Sequence, residues 1–210
     1  MTSSKNYIAI ALLVIFYLVG IFGLSNSEWQ NMFLSLTPFN LLLTLGIFLW
    51  ANGYLNKSLI LSFIIIFLIG YGVEVAGVYT GVLFGHYQYG AALGLKLFEV
   101  PLIIGINWFL LAITSRGIVE KISTKSYVQI VLSALMMVFL DVLIEPVAIQ
   151  LDFWKWENNI IPLQNFIMWF IISFLIQLIL SKLKPSLNIV ICLALYFTQL
   201  AFFGILNVSL

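Results

Sequence analysis

The chain has 210 residues, 63% of them hydrophobic and 8% charged, with a formal net charge of +1. A soluble domain carries about 25% charged residues, so this chain has too few to cover a water-facing surface. It reads as an all-α integral membrane protein forming a single domain over residues 1–210. The net charge excludes the basic footprint of a nucleic-acid binder. The single cysteine, Cys192, excludes an internal disulfide and reads as a small packing residue.

Apolar runs predict a polytopic bundle of about seven spans, since roughly 20 apolar residues cross a bilayer. In chain order they are Tyr7–Leu24, Met32–Ala51, Leu59–Val75, Pro101–Ser115, Tyr127–Ile149, Pro162–Leu183 and Leu187–Val208. The first run is too long for the apolar region of a signal peptide. Ser25-Asn26-Ser27-Glu28 is also a poor cleavage site, so the run reads as a retained span. Pro38 kinks the second span or marks where its helix begins.

Lysine and arginine set the orientation. With the N-terminus inside, Lys5, Lys57, Arg116, Lys121, Lys125, Lys182 and Lys184 all fall on the inner side, and only Lys96 and Lys155 fall outside. The C-terminus is then outside. Seven of the eight acids lie in the outer half or beyond. Loop charge does not explain Glu74, Asp141 and Glu145, which lie within or at the ends of apolar runs.

The third span runs into a segment carrying Gly77, Gly81 and Gly85 at intervals of four. On a helix this spacing makes a groove for close packing. Off a helix it permits a re-entrant or kinked segment lining a cavity. Both readings stay open. Either way Tyr79, Thr80, His86, Tyr87 and Tyr89 bring polar tips to the outer interface.

The fifth span holds Asp141-Val-Leu-Ile-Glu145-Pro146. Positions i and i+4 share a helix face, with Cβ atoms roughly 5–6 Å apart. Charged and unpaired, each acid costs about 2.5 kcal/mol or more in a membrane helix, so such residues face a protein interior or a wet cavity. Trp154 and Trp156, flanking Lys155, follow directly and are placed to roof a pocket. Trp108 in the fourth span and Asn165 and Trp169 in the sixth are further polar-tipped groups with an inward reading.

These residues narrow the chemistry. Zinc needs clustered His, Cys or carboxylates, and there is one histidine and one cysteine. Diphosphate substrates need several aspartates with Lys or Arg, and only Lys96 and Lys155 are on the acidic side. A hydrolase needs a nucleophile beside a base, and no serine stands out near His86. What remains is proton chemistry in an apolar pocket. A carboxyl group taken out of water holds its proton more tightly, and two together share one. Such a group works as a general acid. Aromatic faces stabilise a transient carbocation.

Two ordered blocks resemble a known family. The first is Glu74-x-x-Gly77-x-x-Thr80-Gly81-x-x-Phe84-Gly85-x-Tyr87-x-Tyr89-Gly90, then Leu93-Gly94-x-Lys96 and Val100-Pro101. The second is Asp141-x-x-x-Glu145-Pro146-x-Ala148, then Trp154-x-Trp156, Pro162 and Asn165. Together they look like the signature of the membrane carotenoid-biosynthesis proteins, which include acyclic carotenoid 1',2'-hydratases of the bisanhydrobacterioruberin hydratase type. The resemblance covers about Gly70 to Trp169; the first and last spans carry none of it. Leu95 stands where the pattern has proline, and Asp152-Phe153 where it has glycine-tyrosine.

The resemblance implies hydration of the C1'=C2' bond of a linear carotenoid ψ-end group, with no cofactor and no metal. Asp141 or Glu145 would protonate C2', and Glu74 or the pair partner would activate water. Trp154, Trp156 and Tyr87 would flank the cation. Thr80, His86, Tyr89, Lys96, Trp108, Asn165 and Trp169 complete the implied substrate contacts. The implied partners are an apolar carotenoid, the lipid bilayer and other enzymes of carotenoid biosynthesis. The implied location is a bacterial or archaeal cytoplasmic membrane. The alternatives are a non-catalytic membrane binder or transporter subunit, and a carotenoid end-group cyclase or isomerase.

Overall fold

A computed structural model describes residues 2–53 and 55–210, the side chains of Thr2 and Ser3 excepted. The described residues form seven α-helices: α1 (Thr2–Ser25), α2 (Gln30–Asn52), α3 (Lys57–Thr80), α4 (Ile103–Ile122), α5 (Ser126–Gln150), α6 (Leu163–Leu183) and α7 (Ile189–Ser209). All seven are long and apolar enough to cross a membrane. The chain is therefore an all-α polytopic bundle and an integral membrane protein.

Local signals account for several helix ends. Asn56 caps α3 by accepting from the Leu59 N–H at 2.8 Å, and Asn188 caps α7 by accepting from Val190 N–H at 3.1 Å. Gly81 ends α3 in the left-handed region, φ 65°, where a side chain would be strained. Pro38 lies inside α2 and neither starts nor stops it.

Two boundaries differ from the hydropathy reading in ways that matter. The third helix runs to Thr80, so Glu74 sits within α3 rather than at its end. The fourth helix continues past Ser115 to Ile122. Arg116, which reads as a loop charge, is instead buried in α4. Its Nε donates to Glu120 and its Nη2 to Gln129, at 2.8 and 2.9 Å. A paired cation of this kind extends a membrane helix where hydropathy alone stops it.

Helix α4 is the centre of the bundle and packs on α2, α3, α5, α6 and α7. Its stretch Trp108–Ile113 is fully buried. The other close pairs are α5 with α6, α1 with α7 and α1 with α2. Large apolar side chains such as Phe22 and Phe39 point outward. That is the surface a helix presents to lipid, where all its backbone groups are satisfied internally.

The segment after α3 is not wholly helical. Gly77 is in α3, Gly81 caps it, and Gly85 lies in a loop with φ 105°. The loop then forms β1 (Tyr87–Tyr89), β2 (Lys96–Leu97) and β3 (Val100–Pro101), and β4 (Trp154–Trp156) follows α5. Strands β2 and β3 pair with each other. Strand β1 pairs antiparallel with β4, with Tyr87 opposite Trp156 and Tyr89 opposite Trp154. Gly90 closes this ribbon: a Cβ there would strike the Asp152 carbonyl, and its N–H donates to Phe153 O at 2.9 Å.

Candidate functional site

Strand alternation explains the roof of the site. Side chains two apart share one face of a strand. Tyr87 and Tyr89 on β1 and Trp154 and Trp156 on β4 therefore face the bundle together. Gln88 and Lys155, opposite each other, face out and are exposed. The inward four pack as one aromatic layer, with Tyr87 5.0 Å from Trp156 and Tyr89 5.9 Å from Trp154 between ring centroids.

Beneath this layer lie three buried carboxyl groups. Glu74, Asp141 and Glu145 are 4%, 1% and 1% exposed. Glu74 shares the α3 face of Gly70 and Gly77, and helix spacing brings Asp141 and Glu145 to one face of α5.

The hydrogen bonds to these groups are unequal. Glu74 Oε2 accepts from the hydroxyls of Tyr87 at 2.6 Å and Tyr89 at 2.8 Å, and its Oε1 accepts from Trp108 Nε1 at 3.0 Å. Glu145 Oε2 accepts from Trp156 Nε1 at 2.7 Å and Trp154 Nε1 at 3.0 Å, and its Oε1 accepts from Asn165 Nδ2 at 3.0 Å. Asn165 also donates to Asp141 Oδ2 at 3.2 Å. The two glutamates thus each receive three donors across both oxygens, while the one side-chain bond to Asp141 comes from Asn165.

Among the described residues the two ion pairs are Arg116–Glu120 and Lys155–Asp152, so no cation neutralises the three acids. The phenols of Tyr87 and Tyr89 are pushed above the ordinary tyrosine range, first by burial and then by the adjacent Glu74. Both remain hydrogen-bond donors at neutral pH.

The three acids share a small chamber of about 20 Å³ with Trp108, Trp154, Trp156, Asn165 and Trp169. Trp108 and Trp169 stack at 3.9 Å with an interplanar angle of 12°. Next to the chamber is a larger apolar cavity of about 340 Å³, walled chiefly by α1, α2 and α7. Ile104, Asn107 and Trp154 line both. The cavity and the chamber abut at these three side chains.

Ten of the thirteen residues singled out in the sequence come together here: Glu74, Tyr87, Tyr89, Trp108, Asp141, Glu145, Trp154, Trp156, Asn165 and Trp169. Three do not. The Thr80 hydroxyl donates to Ala76 O at 2.6 Å and is exposed. His86 is exposed and lies against Gly81. Lys96 Nζ donates to the Tyr89 carbonyl at 2.5 Å, which braces β1 from outside the chamber. Asn107 was missed by the sequence reading, although an amide in an apolar run beside Trp108 was a usable signal. The cavity walls on α1, α2 and α7 were also missed, and among them Tyr17, Thr37, Asn40 and Gln199 break the apolar pattern.

The fold and site define a polytopic membrane protein with a buried, aromatic-roofed acid centre. Residues 36–210 match the family described as carotenoid biosynthesis protein, and the chain belongs to that family. The match includes α7, which carries no recognisable motif of its own, and leaves α1 outside. The chain is also similar to the bisanhydrobacterioruberin hydratase of Haloarcula japonica, at 26% identity over 117 residues. That alignment covers 52% of this chain and 40% of the archaeal protein, so this chain spans well under half the length of that relative. No solved structure matches the chain.

Proposed function

We propose that the protein hydrates the terminal C1'=C2' double bond of a linear carotenoid ψ-end group, with its own carboxyl groups as acid and base. Membership of a carotenoid biosynthesis family and the likeness to a protein named as a hydratase support this reading. The observation that carries it is the shared wall of Ile104, Asn107 and Trp154 between an apolar cavity and the acid chamber.

Asp141 is the proton donor in this scheme. Glu74 and Glu145 are surrounded by donors, which suits them to act as acceptors, whereas Asp141 receives a single amide N–H. The Asp141 proton adds to C2', and the cation forms at tertiary C1'. The ring faces of Trp154, Trp156 and Tyr87 flank the cation and stabilise it through their quadrupoles. A water molecule attacks C1' and gives one proton to Glu145, and that proton returns to Asp141 beside it. The sum is one alkene plus one water to one tertiary alcohol, with no net proton change.

The test is incubation of the purified protein with a linear carotenoid in heavy-oxygen water, followed by mass spectrometry. Label in a tertiary alcohol supports hydration. An isomerised or cyclised pigment without label assigns the same protonation to a cyclase or isomerase. Pigment bound stoichiometrically and recovered unchanged assigns the protein to binding.

A further inference from the structure

The bundle core below the acid chamber holds polar atoms that no protein group satisfies. Ser115 Oγ and Arg116 Nη1 on α4, and Ser173 Oγ and Gln177 Oε1 on α6, are buried without a hydrogen-bond partner. Their residues are at most 3% exposed. Buried polar groups of this kind are ordinarily satisfied by ordered water, each molecule making about three hydrogen bonds.

Two of these atoms lie one turn apart on α6. Asn165, Trp169, Ser173 and Gln177 follow one another every four residues on one buried face of α6. Ser173 and Gln177 are about 6 Å apart along the helix, which one water bridging two hydrogen bonds spans, while Asn165 lies about 12 Å above Ser173 with the stacked Trp169 between them. The stripe starts at Asn165, the partner of Asp141. At its other end Gln177 Nε2 donates to Ala112 O at 3.0 Å and lies 3.5 Å from Met137 Sδ. Met137 is one turn before Asp141 on the buried face of α5. Through Met137 the Gln177 end of the stripe touches the turn of α5 that precedes Asp141. Further along, Arg116 is held by Glu120 and Gln129, both half-buried at the opposite end of the bundle.

We propose that a column of bound water runs between α4, α5 and α6 from Arg116 to Asp141, and that it supplies the water consumed in the chamber. The supply role rests on the hydratase reading; the column itself does not. Hydration consumes one water and no net proton, and the chamber holds about one water at a time, so each turnover requires replenishment. The aromatic ribbon closes the chamber from above, and the adjoining cavity is chiefly apolar, with Asn40, Asn107 and Gln199 among its wall residues. The core column supplies a polar route from the opposite end of the bundle.

X-ray radiolysis of the purified protein in heavy-oxygen water reads the column, because radicals formed from bound water oxidise the side chains they touch. Met137 and Cys192 are both fully buried, but Cys192 lies against the Ile113 carbonyl on the α7 side. With each rate taken relative to the same side chain in the unfolded protein, Met137 is expected to take up label several-fold faster than Cys192. Met137 labelled no faster than Cys192 overturns the column. In the Ser173→Ala, Gln177→Leu double variant, Met137 labelling is expected to fall several-fold. Hydratase turnover falls with it, at unchanged KM. Turnover that persists when labelling is lost overturns the supply role. If the double variant does not fold, Ser173→Ala alone is read in the same way. A wild-type protein that hydrates nothing refutes the hydratase reading, while the Met137 labelling still decides the column.

Discussion

Replacing Asp141 by Asn separates chemistry from architecture better than any other single change. The one side-chain hydrogen bond to Asp141 is accepted from Asn165 Nδ2 at 3.2 Å. The amide oxygen of an asparagine accepts that bond equally well, and the side chain is nearly the same size. The expected change in folding stability is therefore under about 1 kcal/mol, the scale of one neutral hydrogen bond. The variant cannot give up a proton to carbon. Removing a positioned general acid lowers rate by about 10²–10⁴-fold, which corresponds to about 2.7–5.4 kcal/mol in the barrier. The assay pairs heavy-oxygen incorporation into product with a thermal unfolding curve on the same preparation. Loss of labelled alcohol with an unmoved unfolding midpoint is the expected result. A variant that labels product at the wild-type rate removes Asp141 from the mechanism, and the argument from unequal hydrogen bonding fails with it.

Three further changes probe the surroundings. Trp156→Phe keeps an aromatic side chain, though a smaller one, and deletes the 2.7 Å donor to Glu145, so a loss of about 1.5–3 kcal/mol in stability is expected from chemical unfolding. Gly20→Leu puts a side chain into the wall of the large cavity, where even a Cβ would lie 3.2 Å from Phe202. It should raise KM for a full-length polyene about tenfold, or about 1.4 kcal/mol, and leave a short end-group analogue unaffected. Gly90→Ala drives a methyl group into the Asp152 carbonyl. It should cost about 1–3 kcal/mol and speed proteolysis of the loops that carry β1 and β4.

What the sequence made legible follows from how each feature is encoded. The Asp141–Glu145 pair was readable because a helix fixes i and i+4 on one face, and charge in an apolar run is rare. The seven spans were readable because hydropathy measures length directly. Arg116 was misread because charge marks a loop only when unpaired, and its partner Gln129 lies on another helix. The pairing of Tyr87 with Trp156 was not readable, since nothing local joins strands on opposite sides of two membrane helices. The large cavity was hidden for a different reason. In α1, α2 and α7 the lipid-facing and cavity-facing side chains are both apolar, so hydropathy cannot tell one side of the helix from the other. Thr80, His86 and Lys96 stand among motif residues, yet they cap, pack and brace the ribbon without reaching the chamber.

The two phenols under the ribbon give the site a pH dependence of defined sign. Burial, and then the neighbouring Glu74, raise both Tyr87 and Tyr89 above the ordinary phenol range. In the unfolded chain each ionises near about pH 10. Folding then holds two protons that unfolding releases, so this stabilisation is complete below about pH 10 and is lost as pH rises beyond it. The slope is about 1.4 kcal/mol per pH unit for each phenol, or about 2.7 for the two. Unfolding curves recorded from neutral to strongly alkaline pH should show this steep decline in the wild-type protein. A Tyr87→Phe, Tyr89→Phe double variant should be less stable at neutral pH, having lost the 2.6 and 2.8 Å bonds to Glu74, yet flatter above pH 10. If phenolate absorbance shows every tyrosine ionising together near pH 10 while the protein remains folded, the two hydroxyls are not held against Glu74, and its role as a hydrogen-bonded acceptor goes with them.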